Sequence, residues 1–140
     1  MKTFDRNGIR FFYPANWPIE IDGDGDSWAA TVQSPQTAFA LVSLRPDVEN
    51  AAQLADEVLA ALKAEYADLD AQPALDTLAN LPAIGHDIDF LTLDTTILCQ
   101  TRCIETSAGS LLVLLQCSEY DRAENETVLR AIRESLAVDD

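Results

Sequence analysis

The sequence predicts an α+β domain: an antiparallel β-sheet of about six or seven strands with amphipathic helices packed on its faces. Three observations carry that expectation. Runs rich in β-branched and aromatic residues, joined by turn residues, fill residues 8 to 44. Residues 49 to 69 then switch to an apolar period of four. A second set of strand-like runs follows from Ala83 and is closed by a helical stretch at 121 to 138. Hairpin links make antiparallel pairs, and an amphipathic helix has to bury its stripe against a sheet. With 140 residues, 48% of them hydrophobic, the chain reads as a single domain spanning 1–140.

Element by element, GIRFFYP (8 to 14) has strand composition and is stopped by Pro14. A bend at Trp17-Pro18 precedes a short strand that leads into IDGDGD (21 to 26). SWAATVQ (27 to 33) and TAFALVSL (37 to 44) read as a hairpin turned at Ser34-Pro35-Gln36. TAFALVSL is nearly continuous in apolar residues, which predicts a central strand covered on both faces. From 49 to 69, Leu54, Val58, Leu62 and Tyr66 recur every four residues, with charges mostly on the other side: an amphipathic helix. Asn50 and Gln53 resemble a capping box at its start. Residues 70 to 81 fit either a strand or a loop. AIGHDIDFLTLD and TILCQTRCIET read as strands, followed by a turn at Ser107-Ala108-Gly109 and the strand SLLVLLQCSE. In the closing helix, Val128, Leu129, Ile132 and Leu136 form one stripe. Asp121, Glu124 and Glu126 come early and Arg130 and Arg133 late, the order a helix dipole favours.

Twenty-four acids against nine Lys and Arg give a formal charge of −15. That sign repels a phosphate backbone and an anionic membrane surface, so neither nucleic acid nor membrane is expected as a partner. The expected partner is another protein; the charge fits either docking to a basic surface or simple solubility, with solubility the more ordinary reading. The N-terminal residues show no apolar signal core and no lipobox, and no apolar run approaches membrane-spanning length, so a cytoplasmic protein is expected. The three cysteines read as reduced and buried. Cys99 and Cys103, four residues apart in one strand, would stand about 13 Å from each other, beyond disulfide reach.

Five residues are candidates for partner contact: Asp22, Asp24 and Asp26 in the aspartate stretch, and Tyr13 and Trp17 in the cluster FFYPANWPI. Counted from Asp22, the first three ligand positions of a calcium loop are filled. Ser27 stands where the loop needs glycine, and Gln33 where it needs the bidentate Glu, so a polar turn is favoured over a calcium site. Tyr13 and Trp17 are compatible with an aromatic groove, or with core aromatics at a strand end. His86, the one histidine, lies near Asp87 and Asp89. In a strand, though, His86 and Asp87 point to opposite faces, and no HxxxH or CxxC motif supplies further ligands. A cysteine in an apolar strand has its thiol pKa raised and is a poor nucleophile. Phosphate-cradling, serine-hydrolase and zinc-protease motifs do not occur. No catalytic residue, metal or cofactor is therefore assigned.

A first strand ending in YPANW, then WAATVQSP and AFALVSL, then an acidic amphipathic helix, resembles the PsbP-like superfamily, which includes DcrB-like bacterial proteins and the Ran-binding Mog protein. Phe12, Tyr13, Pro14 and Trp17 match its opening pattern, and Ser135 and Leu136 match the close of its last helix. The resemblance covers about residues 8 to 138 and implies an α/β/α sandwich that is non-enzymatic and binds other proteins. It also implies an alternative: a cytosolic, DcrB-like chaperone that holds apolar segments of a secreted effector. No family binding residue maps onto a position here, so the resemblance names no partner. A third option, a small enzyme using paired carboxylates, stays open because acids distant in sequence can converge on folding.

Overall fold

The structure, a computed structural model, describes residues 1–139. The α+β expectation holds, with ten strands and two helices among those residues. Strands β1 (Lys2–Arg6) and β2 (Ile9–Tyr13) form a hairpin that the short β10 (Ala137–Val138) extends, making a three-stranded sheet. The other strands form one seven-stranded antiparallel sheet in the order β3-β4-β5-β9-β8-β7-β6. These are β3 (Ile19–Asp22), β4 (Trp28–Gln33), β5 (Phe39–Arg45), β6 (Asp70–Leu78), β7 (Leu81–Leu91), β8 (Thr96–Thr106) and β9 (Gly109–Ser118). After β5, helix α1 (Ala51–Glu65) carries the chain to the far edge, and the β6–β9 meander returns to pair β9 with β5.

Helix α1 starts where the sequence places it: the Asn50 side chain accepts from the Gln53 N–H at 2.8 Å. Its buried Leu54 and Ala55 pack on one face of the large sheet, against Ile88, Phe90, Cys103, Leu112 and Leu114. Tyr66 stacks on Phe90 with ring centroids 3.9 Å apart. Helix α2 (Arg122–Glu134) and the small sheet cover the other face together. There Leu129, Ile132, Ile9 and Phe11 meet Trp28, Val42, Leu111 and Val113. Strands β5 and β9 are thus buried from both sides, which accounts for the unbroken apolar runs in each.

Two features depart from the sequence expectation, and residues 70 to 78 settle a choice it left open. Lys2–Arg6, which carries no strand signal of its own, is a strand whose one buried residue is Phe4. Residues 70 to 78 resolve to an edge strand with a single fully buried residue, Leu78. The strands also divide between two sheets instead of one.

Candidate functional site

The two coverings of the large sheet are unequal. On the α2 side, the helix and small sheet lie over β4, β5 and β9 and over one end of β6–β8, at Leu78, Ala83 and Ile104, while the rest of the β6–β8 flank is left open. A groove of about 790 Å³ runs between that flank and α2. Leu98, Leu115 and Cys117 line its floor, and Arg122, Glu126, Leu129 and Arg130 of α2 form one wall. The open flank is polar, as strand alternation requires of a face in contact with water: Gln72, Asp87, Asp89 and Gln100.

Across this flank lies a charged network. The Arg102 side chain, only 5% exposed, donates from Nε to Asp76 (3.0 Å), from Nη2 to Asp87 (3.0 Å) and from Nη1 to the Thr101 carbonyl (2.8 Å). Arg133, reaching from α2, donates to the same Asp76 oxygen at 3.0 Å and to Gln100 at 2.7 Å. Burial works against the Asp76 charge, but hydrogen bonds from Arg102 and Arg133 outweigh it and hold the carboxyl below its usual range. Asp76 therefore stays ionised near neutrality and clamps two arginines instead of trading protons. The thiols are poised the other way: burial pushes Cys99 and Cys103 up to about 12 and raises Cys117 as well. All three cysteines are free and buried. Neither Asp76 nor the thiols are thus poised for acid–base or nucleophilic work near neutral pH.

The sequence candidates are scattered. Tyr13 and Trp17 do not form a surface groove: they are 7% and 4% exposed and belong to the core beneath α2 and the small sheet. The Trp17 N–H closes a turn onto the Pro14 carbonyl at 3.1 Å, which folds the ring inward. Partner contact through these two rings is therefore corrected to a packing role. Asp22, Asp24 and Asp26 are exposed, in or beside the β3–β4 connection. That connection is latched to the β1–β2 turn. Asn7 donates to Asp26 at 3.3 Å, Arg6 donates to the Gly25 carbonyl at 3.1 Å, and the Trp28 indole N–H donates to Asn7 at 2.8 Å. No metal-holding group of three His, Cys, Asp or Glu occurs among the described residues. His86 sits on the internal strand β7 and bonds through its backbone to Thr101, while its buried Nδ1 has no hydrogen-bond partner. Strand alternation sends it to the opposite face from Asp87, so the two do not form a pair.

Asp121, read in the sequence as a helix-start acid, does more. It is 6% exposed and accepts from the Thr37 N–H (2.8 Å), the Thr37 hydroxyl (2.6 Å) and the Ser118 hydroxyl (3.1 Å), joining the β4–β5 turn to the start of α2. Burial opposes its charge, yet these donors hold it below the usual carboxylate range. Asp121→Ala is expected to cost about 2 kcal/mol, measured by denaturant unfolding at neutral pH, because three donors lose their acceptor.

The sheet edges are blunted against strand addition. Pro73 sits in the β6 edge with no N–H to donate, β3 has four residues, and β1 carries charge along its length. No helix among the described residues is long and apolar enough to cross a membrane.

No protein-family model matches this sequence, and no curated protein matches it either. Solved structures resemble it in fold. A Bacteroides thetaiotaomicron protein superposes with a TM-score of 0.62 at 14% identity over 99% of this chain, which spans 48% of that longer one. A Pseudomonas aeruginosa protein of unknown function superposes with a TM-score of 0.57 at 15% identity, covering 100% of this chain and 98% of the other. At such identities the likeness is one of fold alone: an α+β architecture of a large antiparallel sheet with helices on its faces.

Proposed function

We propose that this is a non-enzymatic, PsbP-like protein-binding domain that docks a partner with a basic surface. The observation that carries the reading is how the charge is spent. Six of the nine basic side chains (Arg10, Arg45, Arg102, Arg122, Arg130 and Arg133) already pair with acids of the same chain. The acidic excess is therefore left facing outward. From Asp47 to Asp70 the chain carries seven acids and one base, Lys63. Arg45 bonds Asp47 and Glu57, which leaves Glu49, Asp56, Glu65, Asp68 and Asp70 in excess, and Asp22, Asp24 and Asp26 are exposed beyond β3. A field of one sign raises the rate of encounter with an oppositely charged protein. The residues behind the family resemblance fit a structural account: Tyr13, Trp17 and Leu136 are buried, and the Ser135 hydroxyl accepts from the Phe12 N–H at 2.9 Å, tying α2 to β2.

The test is a pull-down with the intact chain at low and at high salt. A partner whose retention falls as salt rises is the expected result; capture indifferent to salt would remove the electrostatic reading. The groove favours a second reading, a chaperone-like holder of apolar segments, because Leu98, Leu115 and Cys117 form an apolar floor beside α2. Binding of that kind would persist or strengthen at high salt, so one experiment separates the two.

A further inference from the structure

We infer that the tip of the β7–β8 hairpin and the β9–α2 connection together form a docking surface for a protein segment that carries apolar side chains between lysines or arginines. This rests on the protein-binding reading and gives it a location. Leu91, Leu93 and Tyr120 are 80%, 103% and 83% exposed, and apart from Met1 only Leu75 among the large apolar residues approaches them. Isolated surface leucines are ordinary, whereas a cluster of them marks a contact surface.

The backbone brings these three residues to one end of the sheet. The Glu119 N–H donates to the Thr96 carbonyl at 2.9 Å, so the chain leaving β9 runs beside the hairpin tip and carries Tyr120 with it. The turn itself is closed by threonines: the Thr92 N–H and hydroxyl both donate to the Thr95 carbonyl, at 2.9 and 3.0 Å. Nothing in that geometry calls for a leucine at 93, where turn chemistry favours a polar residue or glycine. Leu91 lies opposite Thr96 and one diagonal step from Leu98 on the same face, so the exposed tip runs on into the apolar groove floor.

Charge selects the partner. Asp89, Asp94 and Glu119 are exposed and interleave with the apolar residues. The neighbouring base, Arg122, is already bonded to Glu126 at 3.0 Å. A purely apolar ligand would leave these acids uncompensated, an acidic one would be repelled, and a second copy of this chain would bring its own −15. A segment alternating apolar and basic residues satisfies both features.

The experiment titrates the isotope-labelled full chain with a synthetic peptide alternating leucine and lysine, followed by amide chemical shifts, with a leucine–glutamate peptide as control. The expected result is that amides of residues 91–96 and 119–121 move with the lysine peptide and not with the control. A triple variant, Leu91→Ser with Leu93→Ser and Tyr120→Ser, should bind about tenfold more weakly while keeping wild-type thermal unfolding, since all three side chains are exposed. Shifts concentrated instead on the Asp22–Asp26 loop or on α1, or full affinity in the triple variant, would overturn this location and leave the basic-partner reading standing. Silence everywhere with the lysine peptide at low salt would count against both. Self-association in the ultracentrifuge that the triple variant abolishes would make the tip a contact between copies, against the partner proposed.

Discussion

Gly85→Ala is expected to be among the most damaging single substitutions in this protein, costing on the order of 3 kcal/mol or more and lowering the thermal midpoint by roughly 10 °C. Gly85 is buried in β7, the second strand from the β6 edge, paired with Arg102 of β8 on one side and Ala74 of β6 on the other. A Cβ built there would overlap the Thr101 carbonyl oxygen and press on the Arg102 backbone. Both obstacles are main chain of a paired strand, so neither can swing aside as a flexible side chain could. Relief requires β7 and β8 to part, which loosens ladder bonds and the Arg102 network beside them. A matched control is Gly25→Ala. Gly25 adopts φ +64° with nothing within 4 Å of where a methyl would stand, so only the left-handed backbone preference is lost, about 1 kcal/mol. Denaturant unfolding of the two variants side by side is the check; equal costs would mean that β7 and β8 have room the structure does not display.

The same contrast between what is local and what is brought together explains how much is legible from sequence. The helix at 51 to 65 is readable because Leu54, Val58 and Leu62 state its period and Asn50 caps it, all within one short stretch. Strands β5 and β9 are readable because burial on both faces writes an unbroken apolar run. Lys2–Arg6 is not, and Asp70–Leu78 is readable only as strand or loop, because an edge strand needs few buried residues; each buries one, and Pro73 and the charges that guard an edge look like loop chemistry. Tyr13 and Trp17 show another limit: an aromatic cluster has the same composition whether it lines a groove or fills a core. The groove network is illegible for a different reason. Asp76, Asp87, Arg102 and Arg133 meet only through pairing of β6, β7 and β8 and the docking of α2. One local signal is present: in TILCQTRCIET, alternation puts Gln100 and Arg102 on the same face as Leu98 and Ile104, and a cation there has to find acids on a neighbouring strand. The apolar tip is hidden in the same way, since Leu91 and Leu93 extend a strand-like run and Tyr120 joins them only through the Glu119–Thr96 contact.

Arg102→Ala is expected to cost about 2–3 kcal/mol at neutral pH, and the cost should shrink as pH falls. Truncation removes a nearly buried side chain, strips Asp87 of its guanidinium partner and leaves Asp76 with Arg133 alone. The loss is held below that of a fully buried pair because the carboxylates keep water: the Asp76 and Asp87 side chains are 38% and 57% exposed. The sign of the pH dependence follows from Asp76. Its folded carboxyl titrates below its ordinary range, so the wild type draws stability from that carboxylate above the unfolded pKa of about 4 and loses it as pH falls through the depressed folded value. The variant has less of that stability to lose, so the two unfolding curves should converge in acid. Arg102→Met separates charge from volume. It fills the same space with an apolar chain and leaves two partly hydrated carboxylates, and its cost should be only about 1 kcal/mol. If the methionine variant is as unstable as the alanine one, the hydrogen bonds of Arg102 outweigh its packing. If the wild-type and alanine curves stay parallel down to acid pH, Asp76 is not held below its ordinary range by Arg102, and the clamp between the sheet flank and α2 rests on Arg133 alone.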